Sequence, residues 1–541
     1  MRPMFVSTAL IFQLIALRVK MVTGHNKLMV ILLDGLRSDY ADAIGNLKGF
    51  DSLKGRGVQA RYMNPTFPSL SYPNYYSIMT GLHSESHGMI GNTMYDHVYG
   101  TMFEGSYSDA QLEPYWWNGG DPVWITATRQ GRRCAMFYWR GCEVEIRNLR
   151  PAYCRRYTKL TTGEDFRWSI DQAIQAMTGK NAADFTAIYV EISDKVGHKY
   201  GPFSKQLNDT VRVLDEHIQY LLSRLDTTGL SKTTNVIFVS DHGMADIKDQ
   251  TKHIRMTDFV PNIEDLIQYR INPNSHVLIM PKPGATEKIY NGFKGKSPHF
   301  DIYRKQEIPE QLHFKENDRI PELVILVKPG YSVVDGYGSS PGMWGYNGTG
   351  PARGNHGYHP ADESMKAIFM ATGPGSVWRI LNTTVTNGDS TCSKDTRQDR
   401  WQYTQNCIFH IFQVKMSSEF IPSQLQYTMI YFVDFVKGKL VENIDSVDVY
   451  NLMCHLLSIA SSPNNGSWSP INQSLLDVVA DKPRESPSRK HTVKPFYDWV
   501  VEPPLKRRRQ TTSAAVLLTP SIFKIISYEF MAFICIITFH Y

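Results

Sequence analysis

The sequence predicts an α/β fold, a doubly wound and largely parallel sheet, from three observations. Several short apolar runs are near-continuous in Val, Ile and Leu, which marks strands buried on both faces. Segments of helical periodicity fall between them, as crossover connections require. Each run ends in a polar or glycine-rich turn, the rim where open α/β sheets bind ligands. With 541 residues, 42% of them hydrophobic, the chain can bury one large domain or two smaller ones.

Taken in order, the first run is LMVILLDG (28–35), ending at Asp34. FPSLSYPNYY (67–76) follows, with Ser69 and Ser71 between prolines: an ordinary turn, or the mouth of a site. TAIYVEISD (186–194) ends at Asp194, and QLNDTVRVLDEHIQYLLSRL (206–225) has helical spacing. NVIFVSDHG (235–243) ends at Asp241 and His242. HVLIMPKPG (276–284), ELVILVKPG (322–330) and AIFMATGPG (367–375) complete the expected strands. Residues 377–444 show no clear period and are expected to be an insertion of uncertain order. SVDVYNLMCHLLSIA (446–460) reads as a helix with Ser446 as N-cap, within the end of the same domain (445–476). Residues 477–510 have a linker's composition.

The ends speak to location. Arg2 precedes an apolar run from Met4 to Leu17, short for a membrane span and suited to a signal peptide over 1–24. That places the chain outside the cell, secreted or at the cell surface. Sequons at Asn208, Asn347, Asn382, Asn465 and Asn472 fit such a route. So does a local disulfide between Cys142 and Cys154. The tail 511–541 holds Ser513-Ala514-Ala515 before apolar residues, and is read as a GPI signal that would attach the protein to the outer leaflet. Net charge is only +6, part of it in Lys506-Arg507-Arg508-Arg509, so no nucleic-acid partner is expected for the folded body.

Chemistry is expected at the strand ends. Asp34, Asp194, His198, Asp241, His242 and His356 are carboxylates and imidazoles, the donors a hydrolytic pair of divalent cations shares. A lone strand-end Asp is more often a turn cap, and a lone loop His is usually solvated. Six such residues at strand ends and glycine-rich loops point to metal.

The order LDG, PSLSYPN, GN, DxxxH, SDHG, NHGY resembles the ectonucleotide pyrophosphatase/phosphodiesterase family of the alkaline phosphatase superfamily. The likeness runs over about residues 27–376 and resumes at about 446–470, implying an alkaline phosphatase-like catalytic domain from 25 to 376. It implies two Zn2+, one held by Asp34, Ser71, Asp241 and His242, the other by Asp194, His198 and His356. It makes Ser71 the nucleophile, leaves Ser69 to the turn, and gives Asn92 a phosphate oxygen to hold. Coordination would lower the serine pKa, and a phosphoryl-Ser71 intermediate would follow.

Finer resemblance points to the branch that hydrolyses glycerophosphocholine and lysophosphatidylcholine-type substrates to release phosphocholine. SLSYPNYY, WWNGGDPVW (116–124), YWRGCEVEIRNLRPAYC (138–154) and PNNGSW (463–468) carry it, and the Cys142–Cys154 pair matches that branch's disulfide. Choline is bound by aromatic faces and carboxylates. Tyr72 and Tyr189 are the expected cage, with Trp116, Trp117, Trp139, Glu143, Glu145 and Glu191 as further candidates. The same two tyrosines would suit a nucleobase, so a nucleotide pyrophosphatase/phosphodiesterase is the alternative; a non-catalytic surface-binding protein is a third. A homodimer is compatible with each. The insertion is expected to be dispensable for metal binding and turnover.

Overall fold

The computed structural model describes residues 27–104, 109–247, 249–334, 352–374, 383–386, 424–427, 435, 437–468 and 475. The expected signal peptide, the sequons at Asn347, Asn382 and Asn472, the linker and the hydrophobic tail lie outside the described residues.

Eight strands form the main sheet: β1 (Lys27–Leu33), β2 (Val58–Asn64), β3 (Cys134–Phe137), β4 (Tyr153–Arg155), β5 (Phe185–Val190), β6 (Thr234–Val239), β7 (Phe369–Thr372) and β8 (Lys439–Asp445). Their spatial order is β8-β2-β7-β6-β1-β5-β3-β4. β1 is central and wholly apolar from Leu28 to Leu33, as a strand covered on both faces must be. It pairs in parallel with β5 and β6. Helices α1 (Ser71–Thr80), α2 (Gly163–Ala176), α3 (Ile192–Tyr200), α4 (Lys205–Thr228) and α5 (Asp448–Leu456) include the crossovers. The Ser204 side chain caps α4 by accepting from the Leu207 N–H.

One strand runs the other way. β7 is antiparallel to both β2 and β6. The segment before β7 therefore reaches the rim where β1, β5 and β6 end.

Two expected strands lie elsewhere. His276–Pro281 and Leu323–Val327 belong to a separate antiparallel sheet with Ile267–Ile271 and Phe300–Arg304. Their continuous apolarity reports burial on both faces, not strand direction. Leu278 and Val324 enter the main core, while their neighbours Val277, Ile279, Leu323 and Ile325 enter a second core with Ile289 and Phe293.

The expected insertion is interrupted before its boundary at 444. β8 begins at Lys439 and pairs in parallel with β2, and Phe435 is already buried in the main core. Within the same stretch, Thr383–Thr386 pairs antiparallel with Gln424–Tyr427. Ser446 is not the cap of α5; its hydroxyl has no partner among the described residues, and Val447 occupies the N-cap.

Candidate active site

Asp34 follows β1, and its N–H donates to the Val190 carbonyl at 2.8 Å, locking the ends of β1 and β5 together. Gly35 comes next with φ of +68°, and a Cβ there would sit 3.0 Å from the Asp194 Cα. Only glycine lets these two acids approach so closely. Asp194 and His198 were expected on a strand-end loop; the structure puts them on α3, where a spacing of four is one helical turn. Asp241 and His242 follow β6. Gly354–Asn355 pairs with Ala245–Asp246, and the Arg353 N–H donates to the His198 carbonyl at 2.8 Å, which delivers His356.

The six metal-ligand candidates form two buried groups, Asp34–Asp241–His242 and Asp194–His198–His356. Within each, one donor atom per residue lies within 4.8 Å of the others. The rings of His242 and His356 stack at 3.5 Å and join the groups.

Proton placement shows what these groups suit. Nδ1 of His242, His198 and His356 lies 2.9, 2.8 and 3.0 Å from the carbonyls of Gly243, Gly354 and Ser69. A carbonyl only accepts, so each Nδ1 donates, and each ring turns its Nε2, the nitrogen left for a cation, inward. The Nε2 of His242 faces carboxylate oxygens of Asp34 and Asp241, each at 3.4 Å. The Nε2 atoms of His198 and His356 face each other at 3.1 Å, with Asp194 Oδ1 at 3.3 and 3.4 Å. Asp34 Oδ1, Asp194 Oδ1 and Asp241 Oδ2 are buried and accept no hydrogen bond among the described residues. Converging ring nitrogens and buried anionic oxygens fit divalent cations.

The electrostatics agree. Burial, then Asp241 and Asp194, push the Asp34 carboxyl well above the usual carboxylate range. Burial raises Asp241 as well, against the pull of His242. Burial and then His242 hold His356 well below the usual imidazole range. These are the shifts of donors built around positive charge.

Ser71 opens α1, and its Oγ lies 3.2 Å from the His242 Nε2. Ser69 has another job: its Oγ donates to the Tyr358 carbonyl at 3.0 Å and its own carbonyl takes the His356 proton. Asn92 is half-buried, and its Oδ1 accepts from the Tyr72 N–H at 2.9 Å, leaving the amide nitrogen as a donor.

The predicted head-group residues take several different settings. Tyr189 donates its hydroxyl to Asp34 Oδ2 and packs behind that ligand. Tyr75 lies against both Tyr72 and Tyr189, at 5.1 and 6.2 Å. Trp116, Trp117 and Trp139 are core residues, each at most 1% exposed. Glu145 is exposed and paired with Arg150. Glu191 is buried and accepts from the Tyr157 hydroxyl and the Thr161 N–H. Cys142 and Cys154 form the expected disulfide, with Cα atoms 5.7 Å apart. Of the described sequon asparagines, Asn208 is half-buried in the first turn of α4 and Asn465 is exposed.

Sequence reasoning missed Arg140 and Tyr157. The Arg140 guanidinium lies over the Tyr157 ring at 3.7 Å and donates to the Tyr72 hydroxyl at 2.7 Å. A lone cation within the aromatic stretch YWRGC was the available signal.

A family profile described as type I phosphodiesterase/nucleotide pyrophosphatase matches residues 28–359, spanning both ligand groups and Ser71. The chain belongs to that family. Among its relatives, bis(5'-adenosyl)-triphosphatase ENPP4 of Bos taurus is 28% identical, over 83% of this chain and 82% of its own. The venom phosphodiesterase of Naja atra is also 28% identical, over 83% of this chain but 46% of its own. In structure, this type I phosphodiesterase is similar to murine ectonucleotide pyrophosphatase/phosphodiesterase 5, inactive and in complex with AMP, at a TM-score of 0.66 and 25% identity. That likeness covers 83% of this chain and all of the other. Membership makes the chain a phosphoric diester hydrolase on an alkaline phosphatase-like fold, and a small phosphodiester its substrate.

Proposed function

We propose that this phosphodiesterase uses two zinc ions and Ser71 to cleave nucleotide phosphodiester or pyrophosphate bonds, releasing nucleoside monophosphates. The observation that carries this is the convergence of the Ser71 hydroxyl with the Asp34–Asp241–His242 group, beside the Asp194–His198–His356 group. A donor set of carboxylates and imidazoles in equal number suits zinc.

Bound zinc would supply the positive charge that lowers the serine pKa and neutralises the phosphoryl oxygens. Ser71 Oγ bonds to phosphorus as the bond from phosphorus to the leaving oxygen breaks. Its proton passes to solvent. Water then cleaves the phosphoseryl ester, and the nucleoside monophosphate departs. Asn92, held by the Tyr72 N–H, offers its amide nitrogen to a non-bridging oxygen. The start of α1 adds a partial positive charge beneath the phosphoryl group.

Nucleotide substrates are favoured by the triphosphatase relative and by the structural neighbour that holds AMP. The choline diesters of the sequence reading keep some support from Tyr72, Tyr75 and Tyr157 with Glu143 and Glu191 nearby. The Arg140 cation among those rings weighs against a quaternary ammonium. The disulfide supports an extracellular setting. Attachment to the outer leaflet rests on the sequence of the tail alone. No helix among the described residues is long and apolar enough to cross a membrane.

The test is product identity. Purified protein with zinc should release AMP from ATP or a dinucleoside triphosphate faster than phosphocholine from glycerophosphocholine. The reverse preference would return the choline assignment. No hydrolysis of either, with zinc bound, would favour a binding protein.

A further inference from the structure

Strands β5 and β6 flank β1, and beyond the end of each the chain reads Ser-Asp: Ser193-Asp194 and Ser240-Asp241. Both serines are buried, and neither is a metal-ligand candidate. Each grips the turn that follows β1. The Ser193 hydroxyl donates to the Asp34 carbonyl at 2.6 Å. The Ser240 hydroxyl accepts from the Leu36 N–H at 2.9 Å and donates to the His242 carbonyl at 2.8 Å. A hydroxyl has one proton, so Asp241 Oδ1, 3.4 Å from the Ser240 oxygen, draws its hydrogen bonds from elsewhere. The N–H groups of Gly35 and His242 donate to it at 3.1 and 3.0 Å.

These bonds decide which oxygens face the cations. Asp241 Oδ1 is taken by two N–H groups, which leaves Oδ2; Asp34 Oδ2 is taken by the Tyr189 hydroxyl, which leaves Oδ1. The turn also lies between the two ligand groups, since a Cβ on Gly35 would sit 3.0 Å from Asp194. Any shift of Asp34–Leu36 therefore moves Asp34 against both Asp241 and Asp194. Hydrolytic cation pairs work roughly 3.5–4 Å apart, so such a shift matters to both ions. We propose that Ser193 and Ser240 are positioning residues: they clamp the turn after β1 from its two sides and so hold the Asp34–Asp241–His242 group in a geometry ready for its cation. Hydrogen bonds of this outer kind typically change metal affinity by about 10–100-fold.

This rests on the zinc reading of the two groups. Wild type, Ser240→Ala and Ser193→Ala are titrated with zinc against a competing chelator. Wild type should take up two ions. In each alanine variant one of the two affinities should fall about tenfold or more while the other stays. His356→Ala leaves the Asp34–Asp241–His242 group whole, so in that background the same loss should persist. Cobalt(II) bound there should change its visible spectrum when either serine is removed, a signature that loss of stability alone does not produce. Melting in excess chelator reads the structural cost separately, because no metal takes part. If Ser240→Ala does not fold, Ser193→Ala, which removes a single bond, carries the test. Two ions in wild type with affinities unchanged in the alanine variants overturn the clamp and leave the zinc reading standing. Equal weakening of both sites with an unaltered cobalt spectrum also overturns it, as the mark of general loosening. A wild type that takes up no zinc would sink the reading and the clamp together.

Discussion

His198, His242 and His356 each give the Nδ1 proton to a backbone carbonyl and so turn Nε2 toward carboxylates. Removing one should cost metal before it costs fold. His356→Ala should lose about one equivalent of zinc, read by metal analysis, and nearly all turnover. Ser71→Ala is a different case. Its kcat should fall about 10^3-fold or more while both zinc ions stay bound, because six other donors remain. Asn92→Ala should lower kcat about 10^2-fold with a smaller effect on KM, if its amide serves the transition state. The six donors were legible in sequence because strand-end acids and histidines have few other reasons to coincide. Arg140 was not, since a cation inside an aromatic run is ordinarily assigned to solvent. That the Tyr189 hydroxyl is bound to Asp34 was not legible either, because sequence shows only that a tyrosine is near an acid.

Helix α1 is held in place by a directional chain of hydrogen bonds. The Met89 N–H donates to His87 Nδ1, so the proton is on Nε2, which donates to Ser77 Oγ at 2.9 Å. Ser77 then donates to Thr66 Oγ1 at 3.1 Å, and Thr66 to Asn74 Oδ1 at 3.2 Å. Asn74 donates to the carbonyls of Pro68 and Leu70, each at 2.9 Å, just ahead of Ser71. Burial pushes the His87 imidazole down to about 3, against 6.5 in the unfolded chain. Below about pH 6.5 the unfolded state takes a proton that the folded state refuses, so stability falls with pH until about 3. Between pH 6.5 and 5 the loss from this group is about 2 kcal/mol. His87→Gln should flatten that part of the profile, measured by urea unfolding of both proteins with chelator present. At the next element, Cys142→Ser should cost about 2–4 kcal/mol by closing no loop in the unfolded chain. The body of helix α4 was legible over 206–225 from its periodicity, but not its cap Ser204 or its last turn to Thr228. The placement of His276–Pro281 and Leu323–Val327 was not, because an apolar run does not say which sheet it joins.

For the whole molecule, the main sheet gathers acids whose mutual repulsion folding must overcome. Cations that bind only the folded state should therefore stabilise it strongly. Dialysis against a chelator should abolish turnover and lower the melting temperature by several degrees, and zinc should restore both. A treated protein that melts unchanged would count against the two groups as metal sites. The architecture was legible because alternating elements force crossovers. The reversed direction of β7 and the early start of β8 were not, since neither has a local signature.

That reversed strand has a consequence for how the enzyme is made. Asp34, Asp241 and His242 have all been synthesised before the ribosome reaches His356, which arrives on the approach to β7. A nascent chain can thus own one full set of donors while the other still lacks a member.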